Sequence, residues 1–188
     1  MRVIAGQFRS RTLRSLPGPA IRPTADRLRE TLFDVLSAGN SRALEGAIWA
    51  DLYAGTGAVG VEALSRGAGK VYFVESARSA FQLIRQNLTS LHVASGVELI
   101  HGKVATTLRR WETEKIVLDF VFLDPPYARE REYRDTLQFM AQSVILRESS
   151  IVVAEHTKKF DPGEGFGDLK RYRKLVQGDA ALSFYSQR

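Results

Sequence analysis

The chain has 188 residues, 44% of them hydrophobic and 26% charged, a composition that suits one globular domain with a sizeable core. It contains no cysteine, which excludes disulfides, thiolate metal sites and cysteine nucleophiles. The opening Met1-Arg2-Val3-Ile4 lacks the apolar run of a signal peptide, and no stretch approaches the ~20 apolar residues of a membrane span, so a soluble, cytoplasmic protein is expected. The net charge of +6 is unevenly placed. Seven arginines (Arg2, Arg9, Arg11, Arg14, Arg22, Arg27, Arg29) fall in the first thirty residues against Asp26 and Glu30. The stretch from Lys170 to Arg188 holds five basic residues against Asp179. Basic ends around a mildly acidic body suit a polyanionic partner.

In chain order, Arg2–Leu16 alternates loosely around Gly6 and predicts a short hairpin or an extended arm. Pro17-Gly18-Pro19 and Pro23 break any helix there. Thr24 has the chemistry of an N-cap for a helix whose apolar stripe is Leu28, Leu32, Val35 and Leu36, ending near Gly39-Asn40. From residue 47 strands and helices alternate. Strands are predicted over Ile48–Tyr53, Lys70–Val74, Val97–Ile100, Val117–Leu123 and Ile151–Ala154. The intervening helices cover Val59–Ser65, about Ser79–Leu91, a short stretch to Trp111, and Glu130 to about Gln142. Arg171–Val176 and Ala181–Tyr185 flank Gln177-Gly178-Asp179 and read as a hairpin. The expected fold is α/β, a mainly parallel seven-stranded, doubly wound sheet closed by a C-terminal antiparallel hairpin. Residues 1–40 form a basic extension on a catalytic unit of residues 41–188, the whole being one compact domain.

Asp51-Leu52-Tyr53-Ala54-Gly55-Thr56-Gly57-Ala58-Val59-Gly60 joins the first of these strands to its helix. Glycines let the backbone turn tightly and approach a ligand closely, and the helix N-terminus beyond offers unpaired N–H groups. Glu75, at the end of the second strand, can accept both hydroxyls of a ribose. These features suit a dinucleotide as well as S-adenosylmethionine, because Gly55, Gly57 and Gly60 match G-x-G-x-x-G. Asp51 favours S-adenosylmethionine: a carboxylate at the strand end meets a cationic ammonium but repels a pyrophosphate.

Asp124-Pro125-Pro126-Tyr127 follows the fourth strand and therefore lies at the same sheet edge. An exocyclic amine on a base is a poor nucleophile because its lone pair is delocalised into the ring. Two acceptors aimed at its hydrogens, the Asp124 carboxylate and the Pro125 carbonyl, free that lone pair to face a methyl donor. The prolines stiffen the turn, and Tyr127 offers a ring on which a base can stack, worth about 1–3 kcal/mol.

With these motifs in place, the chain resembles the RsmD-type methyltransferases of bacterial small-subunit (16S) ribosomal RNA. The resemblance is carried by Met1-Arg2-Val3-Ile4-Ala5-Gly6, by Arg22–Glu30, by Asp51–Gly60, by Glu62–Ala68 and by Asp124–Tyr127. It implies a class I S-adenosylmethionine-dependent methyltransferase fold. It implies methylation of guanine N2 in the helix-31 loop of 16S rRNA, within the assembling or assembled small subunit. The catalytic residues implied are Asp124, Pro125 and Tyr127. The cofactor set is Asp51, Tyr53, Gly55, Thr56, Gly57, Glu75, Val104 and Asp124. Where such enzymes place a small polar or acidic residue after the third strand, this chain has Gly102-Lys103-Val104, so the Val104 N–H is the expected adenine contact. Arg9, Arg11, Arg22 and Arg27 are the expected RNA contacts, and Thr24–Glu30 is expected to close over cofactor or target. No metal, no membrane and a monomer are expected.

His92, His101 and His156 share no metal-ligand spacing and read as surface or strand-end residues, while Trp49 and Trp111 read as core. The alternatives are a DNA or other-RNA amino-methyltransferase acting on adenine N6 or cytosine N4, an NAD-dependent oxidoreductase, and a catalytically silent RNA-binding protein. The oxidoreductase leaves Asp124–Tyr127 and the basic arm unexplained, and the intact motif set argues against a silent RNA-binding protein.

Overall fold

A computed structural model describes residues 1–15 and 23–187, with the backbone alone for residues 23–25. Its helices are α1 (Pro23–Leu36), α2 (Ala58–Ser65), α3 (Arg78–Ser90), α4 (Val104–Glu114) and α5 (Glu130–Ala141). Its strands are β1 (Ile48–Leu52), β2 (Lys70–Glu75), β3 (Val97–His101), β4 (Leu118–Leu123), β5 (Leu146–Thr157), β6 (Gly165–Phe166), β7 (Leu169–Gln177) and β8 (Ala180–Gln187). They form one sheet in the order β3-β2-β1-β4-β5-β8-β7-β6. The first five strands are parallel, and β8, β7 and β6 add antiparallel. The fold is thus the expected α/β sheet, but with eight strands rather than seven. The extra strand is the two-residue β6, too short to carry a periodicity.

Both sheet faces are covered, which is why the central strands are nearly continuous apolar runs. On one face, α1, α2, α3 and the N-terminal segment enclose Leu32, Phe33, Trp49, Phe73, Phe120 and Phe184. The rings of Phe33, Trp49 and Phe120 stack in series with centroids 5.4 and 5.7 Å apart. On the other, α4 and α5 bury Trp111, Tyr133, Leu137 and Met140 against Leu123 and Val152. The two tryptophans are core, as read. His156 is not at the surface: it is fully buried in β5, bonded to Ser183 Oγ at 2.9 Å.

Two further expectations change. Helix α1 begins at Pro23, so Thr24 sits within its first turn rather than capping it. Strand β5 is twelve residues long and runs past Ala154 through Glu155 and His156. The N-terminal segment is the short hairpin and not the extended arm: Arg2 is bridged to Thr12, and the N–H groups of Val3 and Leu13 donate to the Arg11 and Met1 carbonyls at 3.0 Å each. It is also clamped to α2. The N–H groups of Ile4 and Ala5 donate to the two oxygens of Glu62 at 2.8 and 2.9 Å, and the Phe8 N–H donates to Ser65 Oγ at 2.9 Å. Gly6, at φ +78°, passes so close that a Cβ there would fall 1.7 Å from the Ser65 carbonyl oxygen. Pro17–Pro19 and Arg22 lie outside the described residues.

Candidate active site

Four of the five parallel strands run into an acid at their carboxyl ends. Asp51 is the penultimate residue of β1, Glu75 closes β2, Asp124 follows β4, and Glu155 follows the apolar Ile151–Ala154 of β5. Parallel register brings these ends to one edge, where ligands of doubly wound sheets bind. Sequence reading found three of the four. Glu155 went unread because the fifth strand was ended at Ala154, although an acid directly after an apolar run was the same signal that marked the others.

The glycine turn is shaped by left-handed residues: Tyr53 at φ +61°, Gly55 at +56° and Gly57 at +76°. A Cβ on Gly57 would press on Ile84 at 3.1 Å, and one on Gly60 would sit 2.3 Å from the Phe73 ring. The turn therefore packs α2 tightly onto the sheet. Asp51, 2% exposed, accepts the Gly60 N–H at 2.8 Å and stands behind the turn. Glu75 accepts the N–H groups of Gly55 at 2.9 Å and Ala77 at 2.6 Å, one on each oxygen. Each of its oxygens keeps a lone pair for a further donor.

Two adjoining cavities open at this edge. One, of about 490 Å³, is walled by Gly55, Glu75, Asp124, Pro125, Pro126 and Tyr127 among others. The second, of about 770 Å³, extends over Gly102, Lys103 and Val104 and along α5. Tyr53, Ser76 and Arg129 border both. Of the predicted cofactor residues, Tyr53, Gly55, Glu75, Val104 and Asp124 thus line these two cavities, whereas Asp51 and Gly57 are buried and Thr56 is half-buried. The Thr56 carbonyl accepts from Asn87 at 3.0 Å, and its hydroxyl lies 3.6 Å from the Met1 sulfur. The clamped N-terminus therefore borders the glycine turn.

The Asp124 carboxylate makes no hydrogen bond with a described residue, and Asp124 lines the smaller cavity. Pro125 is buried, and its carbonyl accepts the Tyr133 hydroxyl at 3.2 Å. Sequence reading treated that carbonyl as free, with Tyr133 eight positions away inside a helix. One lone pair remains, and the buried tyrosine fixes where it points. Tyr127 is 48% exposed at the rim, its hydroxyl 3.5 Å from Glu155 Oε1.

The carboxylates shift one another. Burial pushes Asp51 up to about 8, against the Gly60 N–H, with Glu75 and Glu155 adding repulsion. Burial raises Asp124 well above the usual carboxylate range, reinforced by Glu155 and Asp51. Burial brings Glu155 to about 7, opposed by Tyr127 and Arg29. Such a cluster holds negative charge at a cost and favours a cationic ligand.

The predicted RNA contacts divide. Arg9 is exposed and its side chain bonds to no described residue, and Arg27 is exposed on α1. Arg11, also exposed, reaches the Ser90 carbonyl at 3.0 Å, so it has the packing role that an arm would lack. Arg22 lies outside the described residues. Among the described residues no His, Asp or Glu group suits a metal ion, and no helix is long and apolar enough to cross a membrane.

Comparison with known proteins gives a consistent result. The family model described as "Conserved hypothetical protein 95" matches residues 1–186. The putative rRNA methyltransferase YlbH of Bacillus subtilis is 31% identical over the full length of both chains. The ribosomal RNA small subunit methyltransferase D of Escherichia coli K12 is 29% identical, over all of this chain and 90% of its own. A solved structure, the putative methyltransferase yhhF from Escherichia coli, superposes with a TM-score of 0.84 at 27% identity, covering 100% and 98% of the two chains. With a sheet edge that gathers Asp51, Glu75 and Asp124 around the glycine turn, and a family match along its length, the chain belongs to the RsmD-type methyltransferase family.

Proposed function

We propose that this chain transfers a methyl group from S-adenosylmethionine to the exocyclic N2 of a guanine in small-subunit ribosomal RNA. The relatives named as ribosomal RNA methyltransferases align along the whole chain and support methylation of that RNA. The observation that carries the reading is the Asp124 carboxylate, without a hydrogen-bond partner among the described residues and next to a fixed Pro125 carbonyl, on the wall of a cavity rimmed by an exposed tyrosine.

The residues fit the cofactor. Asp51, Asp124 and Glu155 are carboxylates held above their ordinary range by burial and mutual repulsion, and a cation relieves that strain. Glu75, oriented by two backbone N–H groups, has lone pairs left for ribose hydroxyls. The larger cavity's wall at Gly102-Lys103-Val104 is where the adenine would lie. When bound, S-adenosylmethionine supplies a methyl group activated by its sulfonium.

The protein's own part is to hold and strip the amine. Asp124 and the remaining lone pair of Pro125 O accept the two N2 hydrogens, which turns the nitrogen lone pair out of conjugation. Tyr127 supports the base from its face. As the C–N bond forms, N2 becomes cationic, and Asp124, whose carboxyl binds protons more readily than a free one, takes the proton released. Positioning of this kind contributes about 7–11 kcal/mol in well-oriented cases.

The test is transfer of labelled methyl from S-adenosylmethionine to small subunits from cells lacking the enzyme, with the product nucleoside identified by mass. N2-methylguanosine at one position is the expected product. Methyl on another amine would discard guanine N2, and no label in any nucleic acid would discard the reaction.

A further inference from the structure

Glu155 is the acid of this edge that catalysis as described does not use. We propose that Glu155 accepts the N1–H of the target base and thereby makes the site select guanine, an inference that rests on the guanine N2 reading above.

The placement follows from the sheet. Leu123 pairs with Ala154 in parallel register, so Asp124 and Glu155 occupy the next rung of adjacent strands. Continuing the strand spacing and alternation one residue past β4 sets their backbones about 4.8 Å apart with their side chains on one face. That face is the one of Phe122 and Val153, two residues that belong with Trp49 and Phe184 to the same side of the core. Both acids are half-buried, and the only hydrogen bond of the Glu155 carboxylate to a described residue is the long one from Tyr127 Oη at 3.5 Å. Glu155 thus adjoins two residues of the smaller cavity's wall, one carrying the acceptor for the amine and one the ring on which the base lies.

The chemistry of the base edge completes the case. With Glu155 turned to the smaller cavity, Glu155, Asp124 and the Pro125 carbonyl would present three acceptors to a base held there. Guanine presents a matching row of three donors: N1–H and the two hydrogens of N2. Adenine N6 and cytosine N4 are also exocyclic amines with two hydrogens, but the ring nitrogen beside each carries a lone pair. Against a Glu155 carboxylate that lone pair makes an acceptor–acceptor clash, and a buried polar group left without its partner is costly. Asp124 and Pro125 alone would take any of the three amines. Glu155 distinguishes them.

The experiment replaces the methylated guanine in reconstituted small subunits by 2-aminopurine, which keeps the N2 amine and has a lone pair at N1. Wild-type enzyme is expected to methylate guanine about a hundredfold faster, in kcat/KM, than 2-aminopurine. Glu155→Gln presents an amide N–H to N1 and should narrow that ratio to within about tenfold, whereas Glu155→Asp should keep the preference at a lower rate. A residue that only anchors Tyr127 would lower both rates together, so an unchanged ratio in Glu155→Gln overturns the proposal. Equal turnover of the two purines by the wild-type enzyme overturns it as well, even if the variant fails to fold. Absence of N2-methylguanosine on the guanine-containing subunits would instead overturn the underlying reaction, a result distinct from either.

Discussion

Glu62 and Asp124 are both acids removed from bulk water, and the fold treats them in opposite ways. Glu62, in α2, is fully buried and fully answered: two backbone N–H groups of the N-terminal segment, Arg66 Nε at 2.8 Å and Arg29 Nε at 3.8 Å converge on it. Arg29, itself 5% exposed, also bonds the Arg2 carbonyl and Asp26. Asp124 has no such partners among the described residues, and its charged neighbours, Glu155 and Asp51, repel it. A buried carboxylate with its partners supplied by the chain is structural. One left unanswered beside a cavity is waiting for donors the chain does not supply.

The comparison can be broken with one kind of substitution, acid to amide, at each position. Glu62→Gln leaves a single oxygen for two backbone donors and strips Arg66 and Arg29 of their counter-charge. Breaking a buried pair in this way costs about 3–5 kcal/mol, or a melting temperature lower by on the order of 10 °C for a chain of this size. The same change at Asp124 removes a repelled charge, so the melting temperature should hold or rise by a few degrees. Methyl transfer should fall about 10²–10⁴-fold, with cofactor affinity kept within a few fold. Thermal melts of the two variants with turnover on small subunits check both. A drop in melting temperature for Asp124→Asn would mean that it has a structural partner after all.

The same contrast explains what could be read without coordinates. The parallel core was legible because a strand covered on both faces must be apolar throughout, and Ile48–Leu52 or Leu118–Leu123 has few other fates. The acids at Asp51, Glu75 and Asp124 were legible because a charge directly after such a run has to be answered. Glu62 and Arg29 were not: the sequence shows a glutamate and an arginine on helices, and their burial depends on each other across 33 positions. For the same reason the N-terminal arginines read as one exposed arm, although Arg29 is spent inside the fold and Arg11 on the end of α3. Strand β5 was read short because its first half, Arg147-Glu148-Ser149, is exposed and polar, with register lost to a bulge near Asp119. The Tyr133 bond to Pro125 joins a helix to a turn, a contact that no periodicity encodes.

The smallest expected effect concerns protons. Asp51 at about 8 and Glu155 at about 7 lie above their ordinary values in the free protein, and Asp124 is raised with them. For acids raised in this way, the folded state holds protons that the unfolded chain has lost. The stability these acids contribute is therefore full below about pH 4 and is lost as pH rises through about 7–8. Among the described residues, Glu75, Tyr127 and the cation Arg29 act on Asp51 and Glu155, and Arg129 borders the smaller cavity beside Asp124. A sulfonium brought to this edge stabilises the ionised carboxylates, lowers their values and expels protons, so its affinity must rise with pH over that window. S-adenosylhomocysteine has the same α-amino group, ribose and adenine but no sulfonium charge. The ratio of the two affinities, measured by calorimetry from pH 6 to 8, therefore isolates the charge and should move about tenfold towards S-adenosylmethionine, one pKa unit being worth 1.36 kcal/mol. A flat ratio would mean that the cluster does not sense the sulfonium.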